Sequence, residues 1–304
     1  MPYAKPATIV AALILATVLA GCSSDPKTES AATSASCPTD VVRVVVSVNQ
    51  WSDIVQQLGG DCADVTTVIQ NGSIDPHDYE PTSSDIASFE SADIAVINGL
   101  DYDPWAESAL NAQSQKPLVV DAGKVAQRGP GDNPHVWYSP TYVRAVATAV
   151  TEALSTTRPN GADYFATQLA SWKTAMKPYD DAIAALAATA SATTYGATES
   201  VFEYMADEIG LVDKTPQGFV NAAANESEPG PADIAEFEVA LRDGKMSVLI
   251  YNSQTESALT AQIKSTATNN EVPVVEVTES LPAAYNSFVD WQVAQLESLK
   301  SALK

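Results

Sequence analysis

Six of the eight residues from Val41 to Val48 are valine, and polar residues bound the run. A short β-branched run of this kind reads as a buried strand. Trp51, Ile54, Val55 and Leu58 follow at i, i+3, i+4 and i+7, which is one face of a helix. Gly59-Gly60 ends that helix, because glycine readily takes the backbone conformation that stops one. Asp64 to Ile69 then forms a second strand. Strand, helix and strand of these lengths make a βαβ crossover, which commits the chain to a parallel sheet with helices on its faces.

The alternation continues. Thr82 to Ser84 offer N-caps to a short helix carrying Ile86 and Phe89, and Asp93 to Asn98 is a third strand. A helix opening at Pro104-Trp105 leads to a fourth strand, Pro117 to Asp121, and Ser139-Pro140 caps a helix with Val143, Val146, Val150 and Leu154 on its apolar face. A longer helical region runs from Asp163 to Ala190, with Pro178 expected to kink it. The second half repeats the pattern more faintly. It has a poorly patterned strand at Thr193–Thr198, helix faces at Val201–Ile209 and Ile234–Leu241, and a clear strand at Met246–Tyr251. A helix at Leu259 and Ile263, a last strand at Val272–Thr278 and a final helix from Ala283 to Leu303 complete it. The expected fold is α/β: a lobe at residues 37–159, a connecting helix at 160–190 and a second lobe at 191–304, each lobe built on a mainly parallel sheet.

Ahead of this body, Lys5 and the apolar run from Ala7 to Ala20 suit a signal-peptide core and are too short to span a bilayer as a helix. Leu19-Ala20-Gly21-Cys22 follows at once and resembles the bacterial lipobox, in which the cysteine becomes a lipidated N-terminus. Residues 1–21 are therefore expected to be removed, and the lipid on Cys22 to anchor the chain to the outer face of the cell membrane. Residues 22–36, rich in Ser, Thr and Ala, read as a flexible tether. In an exported protein Cys37 and Cys62 are expected to pair: they precede the first and second strands, and parallel neighbours would bring both to one edge of the sheet. Two free thiols are the alternative. The net charge of −22 repels nucleic acid and raises the local cation concentration.

The chain has two histidines, His77 and His135, 58 positions apart. Each directly follows a proline, and each of those prolines follows a residue that favours turns (Asp75 and Asn133). Two scarce imidazoles presented by stiff loops point to one metal site, against the alternative of two unrelated surface histidines. In parallel α/β sheets ligands bind beyond the carboxyl ends of the strands. His77 follows strand two, His135 follows strand four, Glu199 follows the weak strand and Glu279 the last one. Two imidazoles and two carboxylates suit manganese, iron or zinc. Glu203, one helical turn from Glu199, is a rival for the third position. An extracellular zinc hydrolase is the enzyme alternative, but the chain carries no His-Glu-x-x-His and no third histidine.

Asp75-Pro76-His77-Asp78-Tyr79-Glu80-Pro81 and Asn133-Pro134-His135-Val136-Trp137 resemble the two ligand motifs of the solute-binding lipoproteins of bacterial zinc and manganese ABC transporters. Asn98-Gly99-Leu100 with Trp105, and Glu228-Pro229 with Asp233-Ile234, resemble further segments of that family. The resemblance implies two α/β lobes joined by one long helix, with a metal held between them and His77 and His135 as ligands. It implies a third ligand at Glu199, which has Phe202 three residues on, and a fourth at Glu279, within Thr278-Glu279-Ser280 where the family usually has Asp. Ser139 stands where the second motif often has Asp. No His-rich loop lies between the motifs, which leans towards manganese over zinc. The implied role is a monomeric receptor that passes Mn2+ or Zn2+ to an ABC permease driven by a cytoplasmic ATPase. A surface adhesin retaining the fold is the other reading.

Overall fold

A computed structural model of the protein describes residues 37–72, 74–77, 79–224 and 227–304. The leader at 1–21, Cys22, the tether up to residue 36 and Asp78 of the first histidine motif lie outside them. The first half places β1 (Val42–Val48), α1 (Asn49–Gly59), β2 (Ala63–Ile69), α2 (Ser83–Ser91), β3 (Ile94–Ile97), α3 (Pro104–Asn111), β4 (Leu118–Asp121) and α4 (Ala122–Val125) in sequence. The four strands pair in the order β2-β1-β3-β4, all parallel. Trp51, Ile54, Val55 and Leu58 of α1 are wholly buried, so the face legible in the sequence is the face that covers the sheet. Cys37 and Cys62 form a disulfide, as their places before two paired strands led us to expect.

Next come α5 (Pro140–Thr157), α6 (Ala162–Ala175) and α7 (Lys177–Ala190). Ser139 caps α5 by accepting from the Tyr142 amide. The expected long helix is interrupted at Met176, between α6 and α7. Pro178 has no N–H to offer the carbonyl four residues back, while the amides of Met176 and Asp180 still reach Trp172 and Met176 at 3.0 and 3.1 Å. The interruption is one missing donor rather than a turn.

The second half adds β5 (Thr194–Ala197), α8 (Glu203–Ile209), β6 (Val212–Asp213), α9 (Gln217–Ala224), α10 (Pro231–Arg242), β7 (Val248–Asn252), α11 (Ala258–Asn269), β8 (Val274–Val277) and α12 (Phe288–Ala302). Its sheet, β6-β5-β7-β8, is again all parallel and repeats the strand order of the first. Two elements were not anticipated and two expectations are corrected. The edge strand β6 and helix α9 carry too little pattern to be read from sequence. Val239 of α10 points outward at 42% exposure, breaking the apolar face drawn through it. The last helix starts at Phe288 and not Ala283, because Ser287 caps it by accepting from the Asp290 amide.

One apolar core runs through both sheets and α5 to α7, and a smaller one lies beneath α10 and α11 around Phe219, Phe237 and Leu249. The carboxyl ends of the two sheets are tied across the gap. Asn49, just past β1, exchanges two hydrogen bonds with the backbone of Leu281, just past β8, at 2.9 and 3.0 Å. The Tyr138 hydroxyl donates to the Thr278 carbonyl at 2.7 Å. Among the described residues, no helix is long and apolar enough to cross a membrane.

Candidate metal centre

The two histidine loops use one device. Two residues before each imidazole, a short side chain accepts the histidine's own backbone N–H: Asp75 Oδ1 for His77 at 2.9 Å and Asn133 Oδ1 for His135 at 3.0 Å. This is the Asx turn that the shared proline spacing favours. Each Nδ1 then faces an oxygen that only accepts. For His77 it is the Asp101 carbonyl at 3.1 Å, and for His135 it is Asn133 Oδ1 at 2.7 Å. The Asn133 amide is oriented by donating to the Ser200 carbonyl and to Glu203. An acceptor at that position favours a proton on Nδ1, the outer arrangement usual for metal-binding imidazoles.

Tyr102 stands between the rings. It meets His77 edge-on at 4.9 Å between centroids and His135 at 6.1 Å. Its buried hydroxyl accepts from Gln50 at 2.9 Å and donates to Glu279 Oε2 at 3.2 Å. His135 Nε2 lies 3.8 Å from Glu279 Oε1. Glu199, two residues beyond β5, has one oxygen held by Asn252 Nδ2 at 2.6 Å and the other by the Thr255 hydroxyl. His77, His135, Glu199 and Glu279 all line one cleft of about 310 Å³, together with the exposed Asp75 and Glu228. Glu203 is exposed and bonded to Asn133, turned away from that lining. Among the described residues, no three His, Cys, Asp or Glu side chains converge closely enough to grip an ion as they stand. The oxygens of the two carboxylates accept from Asn252, Thr255 and Tyr102.

The electrostatics of the carboxylates follow from burial and adjacency. Burial, and then the charge of Glu279, push the Glu199 carboxyl up to about 8. Burial also opposes charge on Glu279, but the hydrogen bond and charge of His135 override it and hold Glu279 down at about 2. Of the two, Glu199 is the carboxyl that burial and its neighbour's charge incline to keep its proton, and Glu279 the one inclined to stay charged. Deeper in the wall, Asp103 is fully buried, which raises it to about 6 although the amides of Asn98 and Gly99 donate to it at 2.8 Å. That grip shapes the turn from which Asn98 donates to the Pro134 carbonyl at 3.0 Å, next to His135. Sequence reading missed Tyr102, Asp103 and Asn252. The last ends β7, and the rule that drew attention to residues beyond strand ends would have reached it.

Residues 44–302 match the profile of the ZnuA family, described as zinc-uptake complex component A, periplasmic. The chain is 24% identical over 293 residues to the high-affinity zinc uptake system protein ZnuA of Bacillus subtilis, covering 89% of this chain and 90% of that one. It is 22% identical over 281 residues to the zinc-binding lipoprotein AdcA of Streptococcus pneumoniae, 85% of this chain but only 55% of that longer protein. Its fold resembles that of the solute-binding protein FpvC of Pseudomonas aeruginosa, solved with Mn2+. The TM-score is 0.72 at 20% identity, covering 87% of this chain and 98% of that one.

Proposed function

The chain belongs to the ZnuA family of periplasmic metal-uptake components, and from that premise we propose that it captures Mn2+ or Zn2+ outside the cytoplasm and delivers it to a membrane permease powered by a cytoplasmic ATPase. His77 and His135 bind through Nε2, and Glu199 and Glu279 supply the carboxylate oxygens. The observation that carries this reading is that four candidate donors, from loops that follow four different strands, line one cleft, with both imidazoles already oriented by an oxygen on Nδ1. Two nitrogens and two oxygens without a thiolate suit a borderline or hard divalent ion, and on such a set zinc binds more tightly than manganese. We read residues 37–159 and 191–304 as the two lobes, residues 160–190 as the connector and Cys22 as the lipid-bearing residue of a monomeric, membrane-anchored receptor.

Thermal unfolding of the chelator-stripped protein tests the site. Manganese or zinc is expected to raise the midpoint in a saturable, one-to-one manner. His77→Ala is expected to weaken binding by roughly a hundredfold or more, beyond what loss of an outer-shell partner costs. No shift with either ion, or an equal shift in His77→Ala, would overturn the reading. The relative midpoints with the two ions assign the metal.

A further inference from the structure

Asn252 is 2% exposed and belongs to neither histidine motif. It is the last residue of β7, which lies between β5 and β8 in the sheet. That strand order puts it between Glu199, just beyond β5, and Glu279, just beyond β8. Its Nδ2 donates to both, at 2.6 Å to Glu199 Oε2 and 2.9 Å to Glu279 Oε1. Its orientation is locked from the other side. Oδ1 accepts the backbone N–H of Gln254 at 3.0 Å, and its own N–H is held by the Thr198 hydroxyl at 3.1 Å. The amide therefore cannot flip to present its oxygen without losing a bond and facing two carboxylates.

We propose that Asn252 is a built-in stand-in for the cation, a positioning residue that holds the two carboxylates together in the metal-free protein and gives up its place when metal arrives. The inference rests on Glu199 and Glu279 being ligands. A first-row ion bridging Glu199 Oε2 and Glu279 Oε1 lies about 2.0–2.2 Å from each, where the amide hydrogens now point. Ion and amide compete for the same lone pairs. Asn252 thus stabilises the empty receptor and weakens metal binding by the same free energy. A receptor that must release its cargo gains from this, since the amide re-forms both bonds as the ion leaves.

The test combines metal affinity with thermal unfolding, in the presence and absence of metal, on the full chain and its Asn252→Ala and Asn252→Ser variants. Truncation is expected to lower the unfolding midpoint of the metal-free form, leave that of the metal-saturated form nearly unchanged, and tighten binding about tenfold, with slower release by chelator. Serine is expected to fall between, since its hydroxyl can serve only one carboxylate at a time. If both forms lose stability equally and affinity is unchanged or weaker, Asn252 is merely structural and the proposal is wrong. If the unaltered protein binds neither Mn2+ nor Zn2+, it is the metal-receptor reading that fails, an outcome separate from any behaviour of the variants.

Discussion

A proton on Glu199 makes the metal-free protein sensitive to alkali. Its folded value of about 8 lies above the ordinary carboxyl value of 4.5, so between those two values the folded state keeps a proton that the unfolded chain has lost. Stability is fully present below the lower value and drains away as pH rises through the upper one, by on the order of a few kcal/mol. Glu279 has the opposite sign: its lowered value contributes stability that is present above pH 4.5 and lost as pH falls towards 2. Metal-free unfolding midpoints measured from pH 5 to pH 8 should therefore decline, and Glu199→Gln should flatten that decline. Tyr102→Phe removes the hydroxyl that bridges Gln50 and Glu279 and should weaken metal binding by roughly tenfold, as loss of an outer-shell partner does, readable by competition with a chelating dye. At this scale the histidines were plain in the sequence because there are only two and each has the same Pro and turn residue before it. Glu199 could not be separated from Glu203, since spacing of one helical turn leaves both on the same side until the backbone shows which reaches the cleft. Tyr102 and Asn252 stayed hidden because neither is itself a conventional metal ligand.

Among the elements, the turn after β3 bears most on the site. Gly99 has φ +70°, and a Cβ there would lie 2.4 Å from Asp121 Oδ1. Gly99→Ala should cost about 1–3 kcal/mol in urea unfolding and also weaken metal binding, because the neighbouring Asn98 holds the Pro134 carbonyl beside His135. The reliability of sequence reading tracked the amount of apolar surface an element buries. β1 and α1 bury whole faces and were legible to within a residue or two. β5 was poorly patterned although it lies inside its sheet. Its Gly196 is there because a Cβ would come within 2.4 Å of Met246 Sδ and 3.0 Å of a Phe237 ring carbon, so close packing displaced the β-branched residues that mark a strand. β6 has two residues, both exposed, and nothing so short at an edge can carry a period. α12 begins late because Ser287, not the apolar spacing, determines where its first turn is satisfied.

For the whole molecule, two sheets of identical strand order meet carboxyl end to carboxyl end, which is why residues from four distant points share one cleft. The parallel alternation was enough to anticipate that meeting; the hydrogen bonds that join the halves, such as Asn49 to Leu281, connect residues too far apart in sequence for any local pattern to show. The chain carries a net charge of −22. Cation capture should accordingly be steered, and the association rate measured by stopped flow should fall several-fold between ~10 and ~150 mM ionic strength as the screening length shrinks from about 30 to 8 Å. The disulfide has a mechanical side as well. Tension applied to the chain ahead of Cys37 passes through the sulfur bridge to Cys62 and so into β2, leaving β1 and α1 in a slack loop. Such tension does not unzip β1, the strand that lies between β2 and β3.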